Sequence, residues 1–398
     1  MNSTPNSNRK HIGIFGETNS GKSSLMNLLT GSNVSLVSEI MGTTTDPVQK
    51  AYELIPYGPV LFIDTAGMED SSSLGTIRVN RTKEVIKKID LGIYVVDANE
   101  KYNGELCKLK YEFKKYNVPY IMVFNKVDEI SSERVSNLRE EYPKAILTST
   151  VHNEGINELK NKIIEMLEKE EEELPLVGDL LPYGSKVILV VPIDSEAPKG
   201  RLILPQVQCI RDCLNYGIKS YVVRDTELEE ALTEIKDANL VITDSQAFKK
   251  VSKIVPEKIK LTSFSMLFAR QKGEINEFLK GVYKIDELQE GDKILIAESC
   301  SHNVSHEDIG RVKIPTMLNK HLGFELDIDF KTGCDFASDK EINNYKLIIH
   351  CGGCMLNRKN VINRIRLCKE NGVAITNYGV VLSYLTDTLE RSKRIFEK

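Results

Sequence analysis

Two groups of residues have the types and spacing to do chemistry. The first is Gly16-Glu17-Thr18-Asn19-Ser20-Gly21-Lys22-Ser23, a GxxxxGK[ST] pattern. Its glycines let successive backbone N–H groups curl around a polyphosphate, and a helix opening at Lys22 adds its positive N-terminal end. Lys22 is placed to reach the outer phosphates and Ser23 to offer its hydroxyl to Mg2+, with Gly16, Ser20, Gly21 and Ser24 completing the cradle. The second group is two sets of thiols, Cys300-Ser301-His302 and His350-Cys351-Gly352-Gly353-Cys354. These residues by themselves admit three chemistries. The CxxC pair suits a redox disulfide. Cys300, His302, Cys351 and Cys354 suit a Cys3His zinc site. Three cysteines also suit a 4Fe-4S cluster whose fourth iron takes a weaker ligand.

Both groups need strands to deliver them. The apolar run Ile12 to Phe15 reads as a strand entering the phosphate loop, and Leu25, Met26, Leu28 and Leu29 as the helix leaving it. Gly42-Thr43-Thr44-Thr45-Asp46 follows, closed by Pro47, where Thr44 is placed to close over a γ-phosphate and Mg2+ as a switch loop. Val60 to Ile63 is a buried-strand run ending in Asp64-Thr65-Ala66-Gly67. There Asp64 holds the metal through water and the Gly67 N–H senses the γ-phosphate. Ile93 to Val96 leads to Asp97, and Ile121 to Phe124 to Asn125-Lys126-Val127-Asp128. The Asp128 carboxylate suits the N1 and N2 hydrogens of guanine, which adenine does not present, and Thr148-Ser149-Thr150 completes a base pocket.

An amphipathic helix after Gly155, with Ile156, Leu159, Ile163, Ile164 and Leu167 on one face, closes the first section. Pro175, Gly178, Pro182 and Gly184 punctuate a linker. Strands at Val187 to Val191, Ser220 to Val223 and Leu240 to Thr243 then alternate with helices, which implies a parallel sheet. Asp194, Ser195 and Lys199 follow the first of these strands with no evident partner, and Cys209 and Cys213 read as core. With no visible chemistry, this section is expected to mediate dimerisation. In the last section, Lys293 to Ala297 delivers Cys300, Leu347 to Ile349 delivers Cys351, and a helix spans Arg358 to Lys369. The expected fold is α/β. A P-loop domain (1–174) precedes two smaller α/β domains with mostly parallel sheets, one for dimerisation (183–271) and one carrying the thiols (272–398).

Composition narrows the function class. Lys and Arg number 53 against 57 Asp and Glu, a net charge of −4, with no basic block to hold nucleic acid. No apolar run reaches membrane length, and the first residues carry no secretory apolar core. Eight cysteines in such a chain point to a reducing compartment, so a cytoplasmic protein is expected.

The ordered set GxxxxGKS, a threonine switch, DTAG, NKVD and a Ser-Thr loop resembles the G motifs of a small GTPase. Asn19 and GTTTD resemble the tRNA-modification and Era-like group. That resemblance implies a K+ held by Asn19 beside the phosphates, where other GTPases use an arginine finger. Met68 follows DTAG, so the water-positioning glutamine of Ras-type proteins is absent, and slow, K+-stimulated turnover of GTP to GDP and phosphate is expected. G motifs, a middle α/β section and a terminal CxH…HCxxC set together resemble the FeFe-hydrogenase maturation GTPases, the HydF family, over nearly the whole chain. This implies a 4Fe-4S cluster on Cys300, Cys351 and Cys354. It also implies a scaffold or carrier role, in which a di-iron precursor is assembled with radical-SAM maturases and then handed to apo-hydrogenase. Glu307 is the expected fourth ligand, with His302 and His350 as alternates or supporting groups, since a carboxylate oxygen is a hard, labile ligand for iron. The contrasting expectation is a tRNA- or ribosome-directed GTPase with a zinc-bearing C-terminal domain.

Overall fold

The computed structural model describes residues 4–31, 47–65, 81–100, 105–169, 174–193, 202–299, 308–333, 336–338 and 340–397. The chain divides into two compact units, 1–172 and 173–398.

The first unit is built on one six-stranded sheet. Its strands are β1 (Lys10–Gly16), β2 (Val48–Leu54), β3 (Gly58–Asp64), β4 (Leu91–Asp97), β5 (Tyr120–Asn125) and β6 (Ile146–Leu147), in the order β2-β3-β1-β4-β5-β6. All neighbours are parallel except β2, which runs antiparallel to β3 at the edge. Strand β1 is apolar nearly throughout because both its faces are covered. Ile12 and Ile14 enter one core layer with Leu25 and Leu159, while Phe15 enters the other with Ile86 and Phe113. Helix Ile156–Glu168 buries Ile156, Leu159, Ile163 and Leu167 of the expected stripe, with Ile164 only partly buried beside them.

The second unit holds two four-stranded parallel sheets. One comprises β7 (Lys186–Val190), β8 (Lys219–Val223), β9 (Leu240–Thr243) and β10 (Lys260–Ser263), in the order β10-β9-β7-β8. The other comprises β11 (Lys293–Ala297), β12 (Asp327–Lys331), β13 (Leu347–His350) and β14 (Ala374–Asn377), in the order β12-β11-β13-β14. Counted within its own sheet, each follows the order 2-1-3-4, so the chain direction reverses between the first and third strands. In an open parallel sheet, ligands collect outside the carboxyl ends of the strands at such a reversal. In the second of these sheets that point lies between β11 and β13, the two strands that lead to the cysteines.

Helix Phe264–Lys272 is shared by both cores of this unit. Phe264, Leu267 and Phe268 pack with Val187 and Leu189, while Met266 and Ala269 pack with Ile294 and Ile296. The stretch read as a linker gives Leu176 and Val177 to the first of these cores. The chain end returns there as well, with Ile395 in the core and Thr262 Oγ1 donating to the Ser392 carbonyl at 2.9 Å. Cys209 and Cys213 are both buried in that core, as expected of small apolar residues.

Candidate functional site

The phosphate loop leaves β1 at Gly16 and enters helix Lys22–Leu29. Gly21 has φ +87°, and a Cβ there would lie 2.2 Å from Asn125 Nδ2, so only glycine fits the turn. Asn125 Nδ2 donates to the Ser20 carbonyl at 3.0 Å, and Thr148 Oγ1 donates to Asn125 Oδ1 at 3.1 Å. The base-side motif therefore braces the phosphate loop. The Lys22 ammonium is mostly buried and donates to the Glu17 carbonyl at 2.5 Å. Asn19 is exposed on the loop with φ +63°.

Ser23 Oγ donates to Asp64 Oδ2 at 2.6 Å. Burial raises the Asp64 pKa against the pull of Ser23, Lys22 and Lys50, and Asp64 Oδ1 is buried without a hydrogen-bond partner. A hydroxyl and a carboxylate with a spare buried oxygen fit a hard divalent cation such as Mg2+.

At the base side, Asp128 is exposed in the short turn Val127–Glu129, and a hydrogen bond from the Ser149 side chain holds its carboxylate below the usual range. Val127 N–H donates to the Thr148 carbonyl at 3.2 Å, joining the two base-side segments. Lys126 takes φ +64° and its ammonium lies 2.5 Å from Asp97 Oδ2. Thr148, expected in the base pocket, braces Asn125 there, while Asp97, which carries no expected role, pairs with Lys126 and is marked in the sequence only by its place at a strand end. Of the expected residues, Thr44 and Gly67 lie outside the described residues, Ser24 is exposed in the first turn of helix Lys22–Leu29, and Thr150 is half-buried.

The thiol-bearing turn starts where β13 ends. The Cys351 N–H donates to the Ala297 carbonyl at 2.9 Å, so the ends of β13 and β11 stay together. Ser299 N–H donates to Cys351 Sγ at 3.0 Å, and Ser299 Oγ lies 2.7 Å from the same sulfur. Gly353, with φ +66°, turns the chain between the two cysteines, and Cys351 and Cys354 are both free thiols. Burial pushes the Cys354 thiol up, Cys351 adds to this, and Lys272 opposes it.

His350 is buried and holds the turn without a free nitrogen. Arg364 Nη1 donates to its Nε2 at 3.0 Å, and its Nδ1 lies 2.6 Å from the Cys351 carbonyl. An arginine only donates, so the ring proton is on Nδ1 and is given to that carbonyl. Burial, with the Arg364 charge beside it, depresses the His350 pKa to about 3. In this arrangement both ring nitrogens of His350 are used to hold the turn. Cys300, His302 and Glu307 lie outside the described residues. Among the described residues no group of three or more His, Cys, Asp or Glu is arranged to hold a metal ion. The sulfur pair, the N–H donor on Cys351 Sγ and the glycine turn fit a thiolate-ligated cluster.

The sheet order of the first unit, its phosphate loop and its braced base-side motif define a P-loop GTPase domain. Comparison with known families agrees: residues 11–126 match the profile of the 50S ribosome-binding GTPase family. Residues 176–273 match the hydrogen maturase F dimerization domain, and residues 276–395 the hydrogen maturase F tetramerization domain. The chain belongs to the HydF-type hydrogenase maturation GTPases.

Individual relatives are GTPases that match part of the chain. The chain is 36% identical over 160 residues to the tRNA modification GTPase MnmE of Chromobacterium violaceum, covering 39% of this chain and 34% of that one. It is 35% identical over 216 residues to the GTPase Der of Kosmotoga olearia, covering 47% and 49% respectively. The chain thus spans a third to a half of the length of these relatives. Among solved structures, Era of Aquifex aeolicus bound to GDP.AlF4- is 20% identical over 57% of this chain and 98% of that one, with a TM-score of 0.34. Among the described residues, no helix is long and apolar enough to cross a membrane.

Proposed function

We propose that this protein hydrolyses GTP and serves as the scaffold or carrier that holds a 4Fe-4S cluster and delivers the di-iron precursor of the FeFe-hydrogenase active site. The observation that carries this reading is the meeting of β11 and β13 at the sheet's reversal point, with Ser299 against Cys351 Sγ, in a chain of the HydF family. Ser299 immediately precedes Cys300, so the contact supports bringing a third sulfur to the Cys351–Cys354 turn. When bound, the cluster supplies one iron that cysteine does not hold and that can exchange ligands.

The chain's own groups divide the remaining work. Cys300, Cys351 and Cys354 hold the iron. Ser299 steadies one sulfur, and Glu307 serves as the labile fourth ligand, with His302 as the alternate. In the GTPase domain, Lys22 and the loop amides bind the phosphates, Ser23, Thr44 and Asp64 hold Mg2+, and Asn19 holds K+ against the charge developing on the γ-phosphate. Gly67 senses that phosphate. Nucleotide state biases the switch loops and so times association with the radical-SAM maturases and apo-hydrogenase. The protein acts in the cytoplasm as a homodimer through the section matched by the dimerization profile.

Anaerobic reconstitution with iron and sulfide, followed by incubation with apo-hydrogenase and the maturases, tests this reading. Broad visible absorption, an EPR signal on reduction and recovery of hydrogenase activity are expected. A protein that takes up only zinc, with a colourless spectrum, would contradict it.

A further inference from the structure

The side chain of Lys272 points into the thiol-bearing turn from a different part of the fold. It is the last residue of helix Phe264–Lys272, whose other side chains build the core around β7 and β9 as well as the core around β11. Only 6% of the residue is exposed. Its ammonium donates to three carbonyls of the turn, Leu356 at 2.9 Å, Gly353 at 3.3 Å and Cys354 at 3.4 Å, and lies 5.9 Å from the centre of the Phe268 ring. A second tie runs the other way, since Arg358 Nη1 donates to the carbonyls of Gln271 and Gly273. Lys272 falls within the stretch matched by the dimerization profile, whereas the cysteines fall within that of the tetramerization profile.

Burying an ammonium is costly unless its donors are satisfied, and here three carbonyls of the turn take the place of water. A charge kept in such a place acts strongly on any charge nearby, because the low-dielectric interior screens it little. A cluster held by three thiolates is net negative and gains a further negative charge on one-electron reduction. The Lys272 charge stands at the backbone of Cys354, one of the anchors.

We propose that Lys272 is the positioning and charge-setting residue of the thiol site: it pins the Gly353–Leu356 turn and raises the reduction potential of the cluster bound there. This rests on the cluster reading given above. Helix Phe264–Lys272 thereby connects the core around β7 to the redox properties of the turn after β13, so a shift of that helix would be felt at the cluster.

The test is a redox titration of reconstituted full-length protein, followed by EPR, for the wild type, Lys272→Met and Lys272→Arg. Lys272→Met should lower the ratio of reduced to oxidised cluster at a fixed potential by about tenfold, a shift of about 59 mV to more negative values for one electron. Lys272→Arg should restore most of that shift. An unchanged potential in Lys272→Met, with cluster content intact, would overturn the inference while leaving the cluster reading in place. A wild type without a cluster would overturn both. Should Lys272→Met hold no cluster, thermal unfolding of the metal-free proteins decides. A wild-type melting temperature assigns the loss to the missing charge, and a clearly lowered one assigns Lys272 to scaffolding alone and overturns the proposal.

Discussion

Asn125 donates to the Ser20 carbonyl at 3.0 Å across 105 residues of chain, so a residue of the base-side motif holds the phosphate loop directly. Its side-chain oxygen accepts from Thr148 Oγ1 at 3.1 Å, which leaves Asn125 buried with both polar side-chain atoms engaged. Removing a buried hydrogen-bonding group costs about 1–3 kcal/mol. Asn125→Ala should therefore weaken nucleotide binding about tenfold or more. The loss should be similar for GTP and inosine triphosphate, because the defect lies in the loop and not in base reading. Fluorescence titration with labelled nucleotides measures both, and a loss confined to GTP would assign Asn125 to the base.

Asp128 should behave in the opposite way. Its exposed carboxylate is set by Ser149, in the turn after β5. Asp128→Asn replaces two acceptor contacts to guanine by one donor and one acceptor. Preference should pass from GTP to xanthosine triphosphate with phosphate binding intact. Wild-type GTP affinity in this variant would remove Asp128 from the base pocket.

How far the sequence showed this in advance depended on the kind of residue. The strands β1, β3, β4, β5, β7, β11 and β13 are buried on both faces and read as apolar runs, so their motifs could be placed at strand ends. Strand β12 alternates with much of its surface exposed, β10 has four residues of mixed type, and β2 is a half-exposed antiparallel edge. None of these carries a strong signal in a single sequence. Gly21 and Lys22 belong to a motif whose spacing announces them. Lys272, Ser299 and Arg364 act on the thiol turn from distant segments, and a lone lysine or serine carries no mark of its future neighbours. His350 is expected to support or replace a ligand, and the Arg364 contact to its Nε2 is the supporting arrangement.

Asn19 sits exposed on the phosphate loop with a left-handed backbone. If its side-chain oxygen holds K+ beside the phosphates, GTP turnover should rise several-fold when K+ replaces Na+ at constant ionic strength. Asn19→Ala should abolish that difference. Equal rates in the two salts for the wild type would remove the K+ site.

His11 gives the first unit a pH-dependent stability. Its Nε2 lies 2.9 Å from the Asn6 carbonyl, so the proton is on Nε2, and Nδ1 is buried without a hydrogen-bond partner. Burial lowers its pKa below the ordinary 6.5, against the pull of Asp90. Below about pH 6.5 the unfolded chain takes up a proton that the folded chain resists, so stability falls as pH drops from there toward the lower folded value. Above about pH 6.5 both states are neutral at this site and it contributes no slope. The melting temperature of the nucleotide-free protein should fall between about pH 7.5 and about pH 5.5, and by less in His11→Gln. An identical fall in both proteins would show that other groups set the slope.

The central claim is that three thiolates from two strand ends anchor the cluster apart from the GTPase core. EPR and iron content of reconstituted Cys300→Ser, Cys351→Ser and Cys354→Ser, measured beside GTP hydrolysis on the same samples, test it most directly. Each variant should lose most of its cluster signal while hydrolysing GTP at the wild-type rate, because the two activities sit in separate units of the chain. Cys209→Ser and Cys368→Ser, whose thiols are buried in apolar cores, should keep the cluster. Full cluster content in all three site variants, or its loss only in the two core variants, would contradict the account.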